Sequence, residues 1–414
     1  MNDTPGLLRR HRDFRHVWAA DALSALGSRL SMLAMPLLAL LTLNATPFEV
    51  ALLRTLETTA WLVLGLVAGA WMDRIACRGV LIAADIGRAV VFASVPVAYF
   101  TGSLTLAQLF VVAVLAGIGT VFFDVAGNTY LPRLLPEDDL VEANARLATN
   151  TSVAAVLASG GGGFVVQFLT APIALAIDAA SFIWSALWLR GIRAAEQTPK
   201  HPRPPHLRRD IAEGWRFVVR HPILRFLAGY SACTIFFQAM EGAVWVTFLV
   251  RDIGLSAWVI GLVGMSALLG AVGSGFVTTR IAARLGTART MVFAAVAYAA
   301  GFAMYPLTRP GWGLSFAVAG GFLASFAIIT MHILRTSVTQ RLCPERLYGR
   351  VGATMEFMIW GIMPLGSLAG GIIATATSLR TTLWIIGAGI AVSILWILLS
   401  PLRSNREVGT ATVQ

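Results

Sequence analysis

The chain has 414 residues, of which 57% are hydrophobic and 13% charged, with a mean hydropathy of +0.74 and a formal net charge of +11. That much apolar surface exceeds what one soluble core can bury, which excludes an ordinary globular enzyme and points to an all-α polytopic membrane protein. All but one of the 32 basic residues are arginine, Lys200 being the exception, and they are scattered between apolar runs rather than gathered into a nucleic-acid patch.

Residues 1–16 are polar and carry Arg9, Arg10, Arg12 and Arg15, a cytoplasmic N-terminus that sets the direction of the first span. No cleavable signal or lipidation motif is evident there. Twelve apolar runs follow, near 17–43, 48–72, 79–100, 104–124, 147–169, 171–190, 223–250, 256–279, 288–307, 312–334, 351–376 and 381–402. Most reach the roughly 20 residues that a helix needs to cross a bilayer. With the N-terminus inside, the inner segments hold 26 Arg and Lys residues, while the outer loops hold only Arg251, Arg309 and Arg380. That asymmetry predicts a multi-pass protein of the plasma membrane with both termini cytoplasmic.

The chain repeats itself. Gly69, Arg74, Ile75, Ala76 and Arg78, between spans 2 and 3, return 206 residues later as Gly275, Arg280, Ile281, Ala282 and Arg284. Arg133, Pro136 and Glu137 return after 208 residues as Arg341, Pro344 and Glu345, and Gly162–Gly163 as Gly370–Gly371. The expected organisation is a bundle of six spans over 17–190, a cytoplasmic linker over 191–222, a second bundle over 223–402 and a tail over 403–414. The linker opens with Pro199, Pro202, Pro204 and Pro205. Beyond them Leu207, Ile211, Trp215 and Val218 fall on one side of a helix and Arg208, Arg209, Glu213, Arg216 and Arg220 on the other, which reads as a helix on the inner membrane surface.

The loop Gly69, Asp73, Arg74 and Arg78 resembles the G-x-x-x-D-R-x-G-R-[RK] signature of the major facilitator superfamily, departing from it at Ala76 and Cys77. Four further stretches are similar to its branch of drug and siderophore exporters, which includes macrolide-efflux and enterobactin-export proteins. They are Leu131 to Pro136 with Leu140 and Ala143 to Ala145, then Ala176 to Phe182, Arg220 to Arg225, and Met363 to Ser367. The resemblance implies the major facilitator fold, two pseudo-symmetric bundles of six transmembrane helices. It also implies that Asp73 latches against the start of span 11, around Tyr348 to Gly352, when the cytoplasmic side closes. A carboxylate at a helix N-terminus gains about 0.3–1 kcal/mol at a surface, enough to bias two states and little enough to release. Arg74 or Arg78 is placed to pair with Asp124, so Gly69, Asp73, Arg74, Arg78 and Asp124 form the candidate cytoplasmic gate.

Charges within spans cost on the order of 2.5–3.5 kcal/mol each at mid-membrane and need a reason. Glu241 in span 7 has Phe237, Gln238, Trp245 and Phe248 on its side of the helix, a candidate wall for a lipophilic guest and, by the resemblance, part of the central cavity. The plain alternative is an aromatic face packed on lipid or neighbouring helices. Asp21, with Ser24 and Ser28 along span 1, and Glu356 in span 11 join Glu241 as proton-coupling candidates. Arg54 with Glu57, and Asp85 with Arg88, are three residues apart and are expected to neutralise each other structurally. Gly160 to Gly163 lacks the strand and lysine of a phosphate loop and reads as close helix packing. Cys77, Cys233, Cys343, His201 and His206 offer neither a disulfide framework nor a metal-ligand spacing.

The expected function is secondary export of lipophilic, drug-like molecules by proton-coupled alternating access, without enzymatic activity, cofactor or metal. Its partners are the small-molecule substrate, protons and membrane lipids, with no nucleic acid, and a monomer is favoured. The alternatives are a narrow exporter of an endogenous metabolite such as a siderophore, and a non-transporting membrane sensor or assembly subunit.

Overall fold

Long apolar runs separated by short polar breaks become helices because a chain crossing hydrocarbon must satisfy its own backbone hydrogen bonds. In the computed structural model, which describes residues 7–72, 75–194, 207–343 and 345–401, every regular element among those residues is helical. A short α1 (Leu7–Arg10) leads into α2 (Arg12–Leu41), α3 (Pro47–Met72), α4 (Cys77–Phe100) and α5 (Leu106–Leu134). There follow α6 (Glu137–Leu157), α7 (Gly163–Leu169), α8 (Ala171–Arg190), α9 (Leu207–Arg220), α10 (Leu224–Arg251) and α11 (Ala257–Leu285). The chain ends with α12 (Thr287–Met304), α13 (Leu314–Leu342), α14 (Glu345–Ala376) and α15 (Leu379–Leu398). Among the described residues nine helices are long and apolar enough to cross a membrane. With α3, the α6–α7 rod and α14, the long elements are consistent with twelve crossings.

Several helices outrun their apolar runs. The fifth reaches Leu134 and the sixth starts at Glu137, where hydropathy ends and begins near 124 and 147; α11, α13 and α14 extend likewise at the corresponding ends. Hydropathy records only the stretch suited to hydrocarbon, whereas helical hydrogen bonding continues into polar sequence. Local chemistry sets the ends. Thr105 Oγ1 accepts from Gln108 N at 3.2 Å to start α5, and Ser378 Oγ accepts from Thr381 N at 3.1 Å to start α15. Gly286, at φ +84°, turns the chain between α11 and α12.

The glycine run is a packing device. It forms a wide π-turn, Ala158–Gly162, between α6 and α7, and a Cβ on Gly163 would stand 2.5 Å from Ala257 O and 2.9 Å from Trp258 Cα.

The chain divides into two compact units, Met1–Thr46 with Leu52–Pro205 and Ser256–Gly261, and Pro47–Ala51 with His206–Leu255 and Leu262–Gln414. The internal repeat shows in how each is packed. In the first, α8 lies against α2 and α4, α4 against α5, and α2 against α6; in the second, α15 lies against α10 and α12, α12 against α13, and α10 against α14. The linker helix α9 is docked on its own unit: Val218 is 1% exposed and joins a core with Ile223, Leu224, Met291, Val338 and Val351, while Trp215 stays exposed. Three residues along a helix rotate a side chain by about 300°, so Trp215 and Val218 look in directions about 60° apart and only one meets the bundle.

Candidate functional site

The first unit gathers its charges around Arg88 on α4. The Arg88 Nη2 donates to Asp85 Oδ1 at 2.5 Å, one turn back on the same helix, and both side chains are buried. Two rings sandwich the guanidinium, Phe123 of α5 at 4.4 Å and Phe182 of α8 at 4.2 Å from its carbon. Gly119 leaves room for it, since a Cβ there would stand 2.7 Å from Arg88 Cγ. Asp178 on α8, 0% exposed, lies within electrostatic reach of Arg88 and Asp85, and Ser181 Oγ donates to its Oδ1 at 3.1 Å. Gly27 on α2 admits this carboxylate, because a Cβ there would overlap Ser181 Oγ and Asp178 Oδ1.

Two candidate residues join this cluster. Asp124 of α5, expected at the gate, lies within electrostatic reach of Arg88 and of Asp21. Asp21 on α2 accepts from Asn150 Nδ2 of α6 at 2.9 Å, and that amide also donates to Trp18 O at 3.0 Å. Five helices therefore contribute to one polar interior, whereas Arg54 and Glu57 form the expected local pair at 2.8 Å on α3.

At the α3–α4 junction the described atoms show a hold on carbonyls. Arg78 Nε donates to Leu189 O at 3.2 Å and Arg78 Nη2 to Arg190 O at 2.8 Å, at the C-terminal end of α8, where such a cation is favoured. Arg133, from the last turn of α5, donates to Met72 O at 2.8 Å and to Ile75 O at 3.2 Å. Gly69 lies in the last turns of α3. Asp73 and Arg74 lie outside the described residues, as does the Glu356 side chain on α14.

In the second unit Glu241 sits within α10, in electrostatic reach of Tyr298 on α12 and Tyr305 just beyond it. Trp245 packs on Tyr305 with ring centroids 4.4 Å apart and on Phe248 at 5.9 Å, and Arg380 lies over the Phe248 ring at 5.2 Å. The four expected wall residues differ in exposure and neighbours. Phe237 presses against Gly389 of α15 and Phe248 is fully buried, while Gln238 is exposed. Offsets of −4, −3, +4 and +7 spread over about 100° of helix, wide enough for both edges to meet different neighbours.

Among the described residues no group of three or more His, Cys, Asp or Glu side chains could hold a metal ion.

The profile of the Major Facilitator Superfamily matches residues 17–365. The chain belongs to that superfamily. It is 26% identical over 370 residues to the multidrug efflux pump Tap of Mycolicibacterium fortuitum, covering 86% of this chain and 88% of that one. It is 25% identical over 381 residues to the MFS-type transporter YfiS of Bacillus subtilis (strain 168), covering 89% and 88%. Two solved structures share its fold. A bacterial homologue of the iron transporter ferroportin, in an inward-facing state, superposes with a TM-score of 0.75 at 15% identity over 95% of this chain and 98% of that one. The nucleoside transporter NupG gives 0.75 at 13% identity over 93% and 98%.

As a Major Facilitator Superfamily transporter the protein moves small molecules rather than transforming them. Sequence reasoning found its acids singly and missed their assembly. In the sequence Asp178 stands out only as part of the stretch Ala176 to Phe182, and Asp85 with Arg88 only as a self-neutralising pair. A usable signal is present: four aspartates, one on each of spans 1, 3, 4 and 6, against Arg88, paired within its own span, and Arg29 on span 1.

Proposed function

We propose that this superfamily member exports lipophilic, drug-like small molecules across the plasma membrane by alternating access, in exchange for inward-moving protons. The observation that carries the reading is Glu241, an acid in the interior of a membrane helix, in reach of Tyr298 and Tyr305 and followed one turn on by Trp245. Ring faces attract a cationic or lipophilic guest by about 0.5–2 kcal/mol, and the likeness to a multidrug efflux pump supports the same class of cargo.

In this cycle proton and guest compete for one carboxyl. Opened outward, Glu241 takes a proton and the guest leaves; opened inward, it gives the proton up and binds the next guest. One charge moving through 100 mV is worth about 2.3 kcal/mol. At about 1.4 kcal/mol per tenfold, each electrogenic proton then sustains a gradient of roughly fifty-fold. Asp21 and Glu356 remain further coupling candidates, and Asp73 with Arg74 the cytoplasmic latch.

The test is energised dye efflux from cells expressing Glu241→Gln at wild-type membrane levels. Loss of proton-dependent efflux is expected, and unchanged efflux removes Glu241 from the mechanism. A narrow metabolite exporter would exclude little dye in the wild type, and a non-transporting sensor none.

A further inference from the structure

The first unit holds more acid than its buried arginine can balance. Asp85 and Asp178 are 0% exposed and Arg88 is 5% exposed, and Arg88 is already bonded to Asp85 Oδ1. Arg54 is engaged with Glu57, and Arg29 lies on an exposed face of α2. Asp178 is left with a carboxylate oxygen, Oδ2, that has no hydrogen-bond donor of full geometry, and the Arg88 Nε donor is buried without an acceptor, while Ser185 faces the Asp85 carboxyl. Ser31 and Ser181 face the Asp178 carboxyl from α2 and α8, and only Ser181 makes a hydrogen bond of full geometry. A carboxylate fully enclosed in a membrane helix bundle, with one oxygen unmet, is a poor resting place for a whole negative charge. A neutral carboxylic acid fits the same space, with its O–H directed from Oδ2 and Ser31 Oγ available to accept.

The geometry points to an exchangeable proton-binding site at Asp178, inside the first unit and separate from Glu241, with Arg88 as the fixed cation that receives the charge when the proton leaves. On release the O–H bond at Oδ2 breaks, its electron pair stays on the carboxylate, and the proton passes to water or to a neighbouring acid. The Arg88 guanidinium, held flat between Phe123 and Phe182, then divides its donors between Asp85 and Asp178, and its unpartnered Nε is the group free to do so. The groups in reach of Asp178 are Asp85 and Arg88 from α4, Ser31 from α2 and Ser181 from its own helix; Ser185 faces Asp85, and Asp124 from α5 reaches Arg88 and the Asn150-bound Asp21. Asp124, in reach of both Arg88 and Asp21, joins the buried acid to the Asn150-bound one. The binding site stands on this geometry alone, and its use in transport rests on the proton exchange proposed above.

Infrared spectroscopy of the purified full-length protein reads the site directly, because the carbonyl stretch of a neutral carboxylic acid separates from the carboxylate bands and shifts in D2O. The wild type should show a neutral-acid band that titrates with pH, Glu241→Gln should retain it, and Asp178→Asn should lose that component while melting with the wild type. Asparagine is nearly isosteric with the neutral acid, so a folded Asp178→Asn protein with the band unchanged overturns the proposal. A folded wild type that shows no neutral-acid band at any pH overturns it as well, whatever the folding of Asp178→Asn. Export that fails to depend on protons while the band behaves as stated sinks the export reading and leaves this one standing.

Discussion

The two units are built on one packing plan and filled with different chemistry. Around α4 and α8 the first encloses Asp85, Arg88 and Asp178 with Asp124 and Asp21 beside them. The residues 208 positions further on from Asp85, Arg88, Asp124 and Asp178 are Phe293, Val296, His332 and Ile386, so three of the four charges have become apolar. The second unit satisfies its interior with hydroxyls instead. Ser274, Thr278 and Thr330 form a closed trio with separations of 2.9–3.0 Å between α11 and α13, and Tyr298 and Tyr305 lie in electrostatic reach of Glu241. A duplicated scaffold of helices keeps its helix contacts through small residues and shape. Its polar interior can then diverge, with charged side chains gathered in one half and hydroxyl and aromatic side chains in the other.

Breaking the charged interior should cost most. Arg88→Ala leaves Asp85 buried without its partner, and removing one member of a buried pair typically costs about 3–5 kcal/mol. Thermal melting in detergent should show a large loss for Arg88→Ala and a smaller one for Val296→Ala at the matching position; equal losses would erase the contrast between the units. Gly27→Ala should come next, because its methyl overlaps Ser181 and Asp178, and overpacking costs about 1–3 kcal/mol. Wild-type melting in that variant would mean that α2 and α8 are not fixed against each other there.

The smallest effect lies outside the membrane, at the start of α10. His221 Nδ1 accepts from Ile223 N at 3.2 Å and Leu224 N at 3.3 Å, and burial holds its protonation below the ordinary histidine range. Protonation turns that acceptor into a donor. The cap, worth about 0.5–2 kcal/mol, is therefore present above about pH 6.5, where the unfolded histidine is neutral, and is lost as pH falls through that value towards the lower folded one. Melting should drop more steeply with acid for the wild type than for His221→Asn, and parallel slopes would contradict the cap.

Much of the fold was legible because length and hydropathy are properties of each segment alone, and the repeat offsets paired the halves. Local pairs such as Arg54 with Glu57 were legible for the same reason, since three residues along a helix set two side chains on one face. What escaped depended on neighbours. Asp124 stands at the end of an apolar run in the sequence, and its nearness to Arg88 and Asp21 shows only once α5, continuing ten residues further, is packed beside α4. Asp178 meets Arg88 only because α8 packs between α2 and α4, an adjacency that no spacing along the chain encodes.

The central claim is that proton flow drives the cargo, and purified protein in liposomes tests it without cellular pumps. With a pH gradient imposed across the bilayer, a lipophilic cationic dye should accumulate against its own gradient, in the direction opposite to proton flow. Accumulation should collapse with a protonophore and be absent in Glu241→Gln. Accumulation that persists after the pH gradient is dissipated, or equal transport by Glu241→Gln, would contradict the account.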